Sequence, residues 1–266
     1  MKRDVDIVVI SDLHLGTAAC RATQLLAYLK SINPGKLVLN GDIIDMEQFD
    51  RRYWPASHTK VVRRILKFTT TGIPVFYVTG NHELALRRYL DTGLDLGLLH
   101  LVDRLEWVID NQRTLITHGD HCDKRLGANR WIAQFGSWAY GRVERFNNLI
   151  NFFRHRLGQR PVSLMKSLKN HIAQATTWID RFETLCAETA VHEGFDTIIC
   201  GHIHQPADKC IPIFNHRPHY LNCGDWVEHG TALEYAHGKW KVVYYDELFS
   251  SASSAQLSLD ETRAVG

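Results

Sequence analysis

The chain has 266 residues, 45% of them hydrophobic and 23% charged, with a formal net charge of +2. This is globular composition: it excludes wholesale disorder and collagen-like or low-complexity repeats, and the near-neutral balance makes no global demand for a nucleic-acid partner. The length suits one or two domains whose core needs no staples, and fifteen His are many for that size, which points toward metal chemistry.

In chain order, the first apolar stretch, 5–10, is interrupted by Asp6 and closes at Asp12. It is too short for a signal-peptide core or a membrane span, and no other window offers about 18 uncharged apolar residues, so a cytoplasmic protein is expected. Residues 5–11, 36–40 and 74–79 read as short β-branched strands, with helical periodicity over 23–32 and 59–70 between them. This rhythm predicts a largely parallel, buried sheet. Residues 107–120 read as a hairpin turning at Asp110–Asn111. Later strands are expected over 196–200, 219–223, 231–236 and 240–245, the last two joined at His237–Gly238. The segment from about 125 to 190 lacks strand alternation and reads as helices. The expected organisation is a core made of 1–124 and 186–247, a helical, basic cap insertion over 125–185, and a disordered Ser/Ala-rich tail over 248–266. Six Cys (Cys20, Cys122, Cys186, Cys200, Cys210, Cys223) form no CxxC pair and read as reduced small hydrophobes, not zinc ligands.

Five predicted strands each end in a polar cluster. These are Asp12-Leu13-His14, Gly41-Asp42-Ile43-Ile44-Asp45, Gly80-Asn81-His82-Glu83, His118-Gly119-Asp120 and Gly201-His202-Ile203-His204. In parallel α/β sheets, the carboxyl ends of the strands converge where ligands bind. Asp12, His14, Asp42, Asn81, His118, His202 and His204 are therefore expected to meet. Carboxylate and imidazole without thiolate suit divalent Mn, Fe, Zn or Mg. One shared carboxylate turns seven ligands into two four-ligand sites, and Asp42 is the natural bridge. Gly41, Gly80 and Gly201 fit tight strand-to-loop turns. Such an ion pair suits in-line hydrolysis of a phosphoester or phosphoanhydride. His82 adjoins a ligand and suits proton transfer; with Asn81 and Asp42 it makes up the expected catalytic set. Asp45 and Asp120 read equally well as acceptors for ligand imidazoles and as turn caps, and Glu83 as a residue favouring the first turn of a helix.

SDLHLG (11–16), GDIID (41–45), GNHE (80–83), HGD (118–120) and GHIH (201–204) together resemble the calcineurin-like metallophosphoesterase superfamily, over about 5–245. The resemblance implies an α/β fold, a four-layer α/β/β/α sandwich of two mixed sheets. It implies one ion on Asp12, His14, Asp42 and His204, and another on Asp42, Asn81, His118 and His202. It also makes His82 a phosphate contact or leaving-group acid.

Residues 124–169 hold ten Lys/Arg and one acid, a net +9 within a chain of +2. Ile132, Phe135, Ala139, Val143, Phe146, Ile150, Phe153 and Leu157 step by three and four, an apolar helical stripe that Trp131 and Trp138 widen. Such a surface suits an anionic, acyl-bearing ligand at a membrane surface, with peripheral attachment; packing of the stripe on the core with solvated outer charges is the plainer reading. No second basic patch or DNA-binding motif favours nucleic acid. Placement of this segment after HGD, and Gly224-Asp225-Trp226 near the end, resemble the UDP-2,3-diacylglucosamine diphosphatase family. That resemblance implies hydrolysis of a lipid-nucleotide diphosphate to UMP and a lipid sugar phosphate, usually with Mn²⁺, at the inner face of the membrane. Two positions depart from that family's pattern: His82 stands where Arg is expected, and the last motif reads GHIHQP, not GHTHRP. The candidate substrate contacts are Arg87, Arg88, Arg125, Arg130, Trp131, Phe135 and Trp138. Two other readings stay open: a soluble metallophosphatase or (cyclic) nucleotide phosphodiesterase, and a non-catalytic interaction module, which has no need of seven intact ligands.

Overall fold

The computed structural model describes residues 2–46, 53–90, 92, 96–126 and 165–250, with side chains left out at 124–126 and 165–175. Strand β1 (Arg3–Ile10) alternates its apolar residues between two layers: Val8 and Ile10 face one cluster, Ile7 and Val9 another. A strand apolar on both faces belongs in the middle of a sheet covered on both sides, and β1 is central. It pairs in parallel with β2 (Ile32–Asn40), which is followed by β3 (Val75–Val78) and β4 (Leu99–Val102), also parallel. On its other flank lie β10 (Thr231–Ala236) and β11 (Lys239–Tyr244), both antiparallel, giving the order β11-β10-β1-β2-β3-β4. A second sheet runs β5-β6-β7-β9-β8, from β5 (Arg104–Ile109), β6 (Gln112–Thr117), β7 (Thr197–Cys200), β8 (Ala207–Cys210) and β9 (His219–Asn222). Its centre is parallel and its edges antiparallel. The parallel rhythm read from the sequence thus describes β1 to β4 of the first sheet and the middle of the second, and both sheets are mixed.

Helices cover the outer faces. Helix α1 (Ala22–Ser31) buries Leu25, Tyr28 and Leu29, and α2 (Ala56–Thr70) buries Val61, Ile65 and Phe68; both stripes have helical spacing and pack on the first sheet. Ile7, Val9, Val38, Val78, Ile116, Ile199 and Leu221 fill the space between the sheets. Helix α3 (Leu84–Arg87) is a single turn near the site. On the far face, α4 (Asp120–Leu126) and α5 (Met165–Glu193) bring Cys122, Phe182, Cys186 and Ala190 onto Leu115, Ile198 and Tyr220. The result is the four-layer α/β/β/α sandwich, each buried large aliphatic contributing about 1.5–3 kcal/mol. All six Cys are free, and Cys122, Cys186, Cys200 and Cys223 are buried, as expected of thiols used as hydrophobes.

The turns Asp110–Asn111 and His237–Gly238 fall where the sequence put them, all four residues at positive φ, the geometry of a tight hairpin turn. Two strands were not anticipated: β4 (LHLV) is apolar but only four residues long, and β8 (ADKC) is polar and mostly exposed, so it carries no apolar signature. Helix α5 is continuous across position 185, so the junction expected there lies inside one helix. Residues 127–164, with most of the expected cap, and 251–266, most of the expected tail, lie outside the described residues. Residues 245–250 are helical; within them Leu248 packs on the core and Phe249 stacks on Tyr245. Among the described residues, no helix is long and apolar enough to cross a membrane.

Candidate metal centre

The loops that follow β1, β2 and β3 in one sheet meet the loops that follow β6 and β7 in the other, so the carboxyl ends of both sets of parallel strands converge. Backbone bonds lock the loops together. Asp12 and His14 donate their N–H groups to the carbonyls of Gly41 and Asp42, both at 3.0 Å, and Gly201 donates to the carbonyl of His118 at 3.0 Å. The close approach explains two glycines. A Cβ on Gly80 would lie 2.2 Å from Asp42 Oδ1, and one on Gly41, whose φ is +81°, would lie 2.3 Å from His118 Nδ1.

Six of the seven expected ligands, Asp12, His14, Asp42, Asn81, His118 and His202, are buried, and His204 is half-buried. Five of the seven (Asp12, His14, Asp42, His202, His204) have left-handed backbone, with φ between 48° and 68°. Such conformations carry strain of the order of 1–3 kcal/mol each and cluster where geometry serves a site.

The two carboxylates are used alike. Asp42 Oδ1 accepts the His82 backbone N–H at 3.0 Å, and its Oδ2 lies 3.3 Å from His118 Nε2 and 3.7 Å from His82 Nε2. Asp12 Oδ2 accepts the His202 backbone N–H at 3.0 Å; its Oδ1 lies 3.2 Å from His204 Nε2 yet, though buried, makes no hydrogen bond among the described residues. Each carboxylate therefore anchors one oxygen and turns the other inward. Opposite Asp12, the Nε2 atoms of His14 and His204 face each other at 3.2 Å. An unbonded carboxylate oxygen and two facing imidazole nitrogens form a donor set that a divalent cation satisfies. Potential ligand atoms of Asp12, His14 and His204 lie within 4.8 Å of one another, as do those of Asp42, His118 and His202. Each of these groupings holds three of the four residues of one expected ligand set, and Asn81 is buried next to His82.

Electrostatics agree with that donor set. Burial opposes charge on both carboxylates, but His204 beside Asp12 and His118 beside Asp42 hold them below the usual carboxylate range. Burial likewise opposes charge on the imidazoles, but Asp42 lifts His118 to about 10 and Asp12 lifts His204 to about 9.

The residues left open in the sequence reading resolve into distinct roles. Asp45 accepts from Nδ1 of both His14 and His82, each at 2.9 Å, and so orients a ligand and the candidate proton donor together. His118 Nδ1 donates to the Asn40 carbonyl at 2.8 Å. Asp120 pairs with Arg87 at 3.0 Å. Glu83, read as a helix-favouring residue, is instead a fully buried hub: it accepts the backbone N–H groups of Asp42, Ile43, Ile44 and Gly80 and the Tyr77 hydroxyl. Arg87 is spent on Thr79, Asp103 and Asp120, tying the turn after β3 to the second sheet. Arg88 is exposed, Arg125 is described only through its backbone in α4, and Arg130, Trp131, Phe135 and Trp138 lie outside the described residues. Two acids were missed. Asp123 lies 3.3 Å from His202 Nε2, and Asp225, in the loop after β9, caps its own loop and binds His229 Nδ1 at 2.6 Å. The Gly-Asp-Trp run was the available signal for Asp225.

The profile of the calcineurin-like phosphoesterases matches residues 5–206, and the chain belongs to that family. With the buried carboxylate–imidazole clusters, this makes the protein a metal-dependent hydrolase of phosphoester or phosphoanhydride bonds. Among similar proteins, the UDP-2,3-diacylglucosamine hydrolase of Stenotrophomonas maltophilia strain K279a is 26% identical over 88% of this chain and 96% of its own. The UDP-2,3-diacylglucosamine hydrolase of Xanthomonas campestris pv. campestris strain B100 is 29% identical over 84% and 92%. A solved archaeal phosphodiesterase aligns over 90% of this chain and 98% of its own at 13% identity, with a TM-score of 0.41.

Proposed function

We propose that this protein hydrolyses the pyrophosphate of UDP-2,3-diacylglucosamine, or of a related lipid-nucleotide diphosphate, to UMP and a lipid sugar phosphate. In this reading Asp12, His14, Asp42 and His204 hold one divalent ion and Asp42, Asn81, His118 and His202 the other, with Mn²⁺ the preferred metal. The observation that carries it is the inward-facing donor set, an unbonded Asp12 oxygen and the His14 and His204 nitrogens opposite it, in a chain matched nearly end to end by hydrolases of that name. When bound, the ions supply Lewis-acid activation of water and of a phosphoryl oxygen.

The chain's own residues do the rest. Asp45 fixes the Nδ1 side of His82 and leaves its Nε2 on the side of Asp42. There His82 can give a proton to the departing phosphate oxygen as water adds to the other phosphorus and the bridging P–O bond breaks. Arg87 is paired with Asp103 and Asp120, while Arg88 is exposed; both stay candidates for a substrate phosphate. The basic, aromatic segment 124–169 supports an anionic, acyl-bearing substrate reached at a membrane surface by peripheral contact.

The test is one comparison: purified protein with Mn²⁺, assayed on UDP-2,3-diacylglucosamine, UDP-glucose, cyclic AMP and a generic aryl phosphodiester. Preference for the diacylated substrate, with UMP as a product, is expected. Equal turnover of UDP-glucose removes the lipid from the proposal, and turnover confined to cyclic AMP or the diester replaces it with a phosphodiesterase.

A further inference from the structure

Three imidazoles of the centre, His14, His82 and His118, each have one ring nitrogen tied to an oxygen that holds the ring plane. For His14 and His82 that oxygen belongs to Asp45, and for His118 to Asn40. For His202 the partner comes from elsewhere: Asp123, on α4, places Oδ2 3.3 Å from His202 Nε2. Asp123 is 6% exposed, and its Oδ1 makes no hydrogen bond among the described residues. A buried carboxylate with a bare oxygen is costly and calls for a compensating role. The His202 ring is held from two more sides, edge-on to His118 at 5.2 Å and against Phe182 of α5 at 5.8 Å, and Phe182 is itself backed by Trp178.

We propose that Asp123 is a positioning residue of the metal centre: it accepts the Nε2–H of His202, fixes the tautomer, and so aims Nδ1 at the ion shared with Asp42 and His118. This rests on the ligand assignment proposed above. A carboxylate behind a ligand imidazole raises its basicity and fixes its orientation. The placement has a consequence for the chain. Helix α4 leads out of the core into 127–164 and α5 leads back, and both grip the same ligand, α4 through Asp123 and α5 through Phe182. Occupancy of that ion site and docking of the two helices are then linked, each favouring the other.

The experiment is a titration of the metal-free full-length protein with Co²⁺, followed by calorimetry and by the visible absorption of the bound ion, for wild type, D123A, D123N and D42A, with melting curves as a check on folding. Wild type takes up two equivalents. D123A weakens one of them by roughly 10–100-fold and leaves the other, the range seen when such a partner is removed. D123N, whose amide oxygen still accepts Nε2–H, recovers most of the loss and keeps the wild-type Co²⁺ spectrum. Two equivalents of wild-type affinity in D123A overturn the positioning role. Equal loss in D123N and D123A with a changed spectrum makes Asp123 a ligand itself and overturns it too. No uptake by wild type brings down the ligand assignment beneath the proposal, and D42A, expected to lose both equivalents, keeps the two failures apart.

Discussion

The two halves of the site reach the same rigidity by different routes. The half on the first sheet is braced from within: the loops after β1, β2 and β3 bond to one another, and Glu83 and Asp45, both in those loops, supply the acceptors. The half on the second sheet is braced from outside: His118 leans on Asn40 of the first sheet, and His202 on Asp123 and Phe182 of the outer helices. One half is finished when its loops close; the other depends on layers packing. Among the contacts that join them are two cross-sheet pairs of charged groups, Asp42 with His118 and Asp12 with His204.

The sharpest way to break the junction is Asp42→Ala. It removes the one carboxylate placed to serve both ion sites, so metal uptake and turnover fall together, several kcal/mol of transition-state stabilisation being lost with the ions. Elemental analysis alongside an activity assay reads both. His82→Ala is the matched contrast: kcat falls about 10²–10⁴-fold, the usual contribution of a positioned acid or base, while metal content stays at the wild-type level. Turnover by Asp42→Ala in metal-free buffer, or loss of metal from His82→Ala, contradicts this division of labour.

Bracing of the first half is tested by Glu83→Ala. Four backbone N–H groups and a tyrosine hydroxyl converge on that carboxylate, and each buried donor left without a partner costs about 1–3 kcal/mol. The expected result is a markedly lower urea midpoint, with Glu83→Gln falling less, since its amide oxygen still accepts. A midpoint unchanged in both variants means that water satisfies those donors and that the loops need no hub.

The same contrast explains what could be read in the sequence. Asp12, His14, Asp42, Asn81, His118, His202 and His204 were legible because each follows directly on an apolar strand, and strand ends converge by topology alone. The hairpin turns were legible because Asn and Gly tolerate positive φ. Glu83 was not, because its main partners lie about 40 positions away, whereas neighbour-based reading sees only the next turn of chain. Asp123 was hidden in the same way: three residues after Asp120 it looks like an acid in the first turn of a helix, and only the packing of α4 against β7 reveals His202 beside it. Arg87 shows the same blindness from the other side: its charge near a phosphate-binding motif suggested a substrate contact, and its pairing with Asp103 and Asp120, brought from other elements, was not legible.

The mildest test concerns the cross-sheet pairs themselves. In the metal-free protein, burial opposes the charge on His118 and His204, but Asp42 and Asp12 raise them to about 10 and about 9, above the value near 6.5 of an imidazole in an unfolded chain. The folded state then holds protons that the unfolded state has released. The resulting stability is complete below about pH 6.5 and is lost as pH rises through about 9 and then about 10. Asp12 and Asp42, held below the usual carboxylate range, act with the opposite sign: their contribution is present at neutral pH and fades as pH falls through their lowered values. Melting curves of the chelator-treated protein should therefore decline steadily from pH 6.5 to 10. With Mn²⁺ bound, the ligand imidazoles are already deprotonated, so that decline should flatten. A metal-free protein whose melting temperature holds level across this interval would mean that neither protons nor ions tie the first sheet's carboxylates to the second sheet's imidazoles, and that layer packing alone keeps the two halves of the site together.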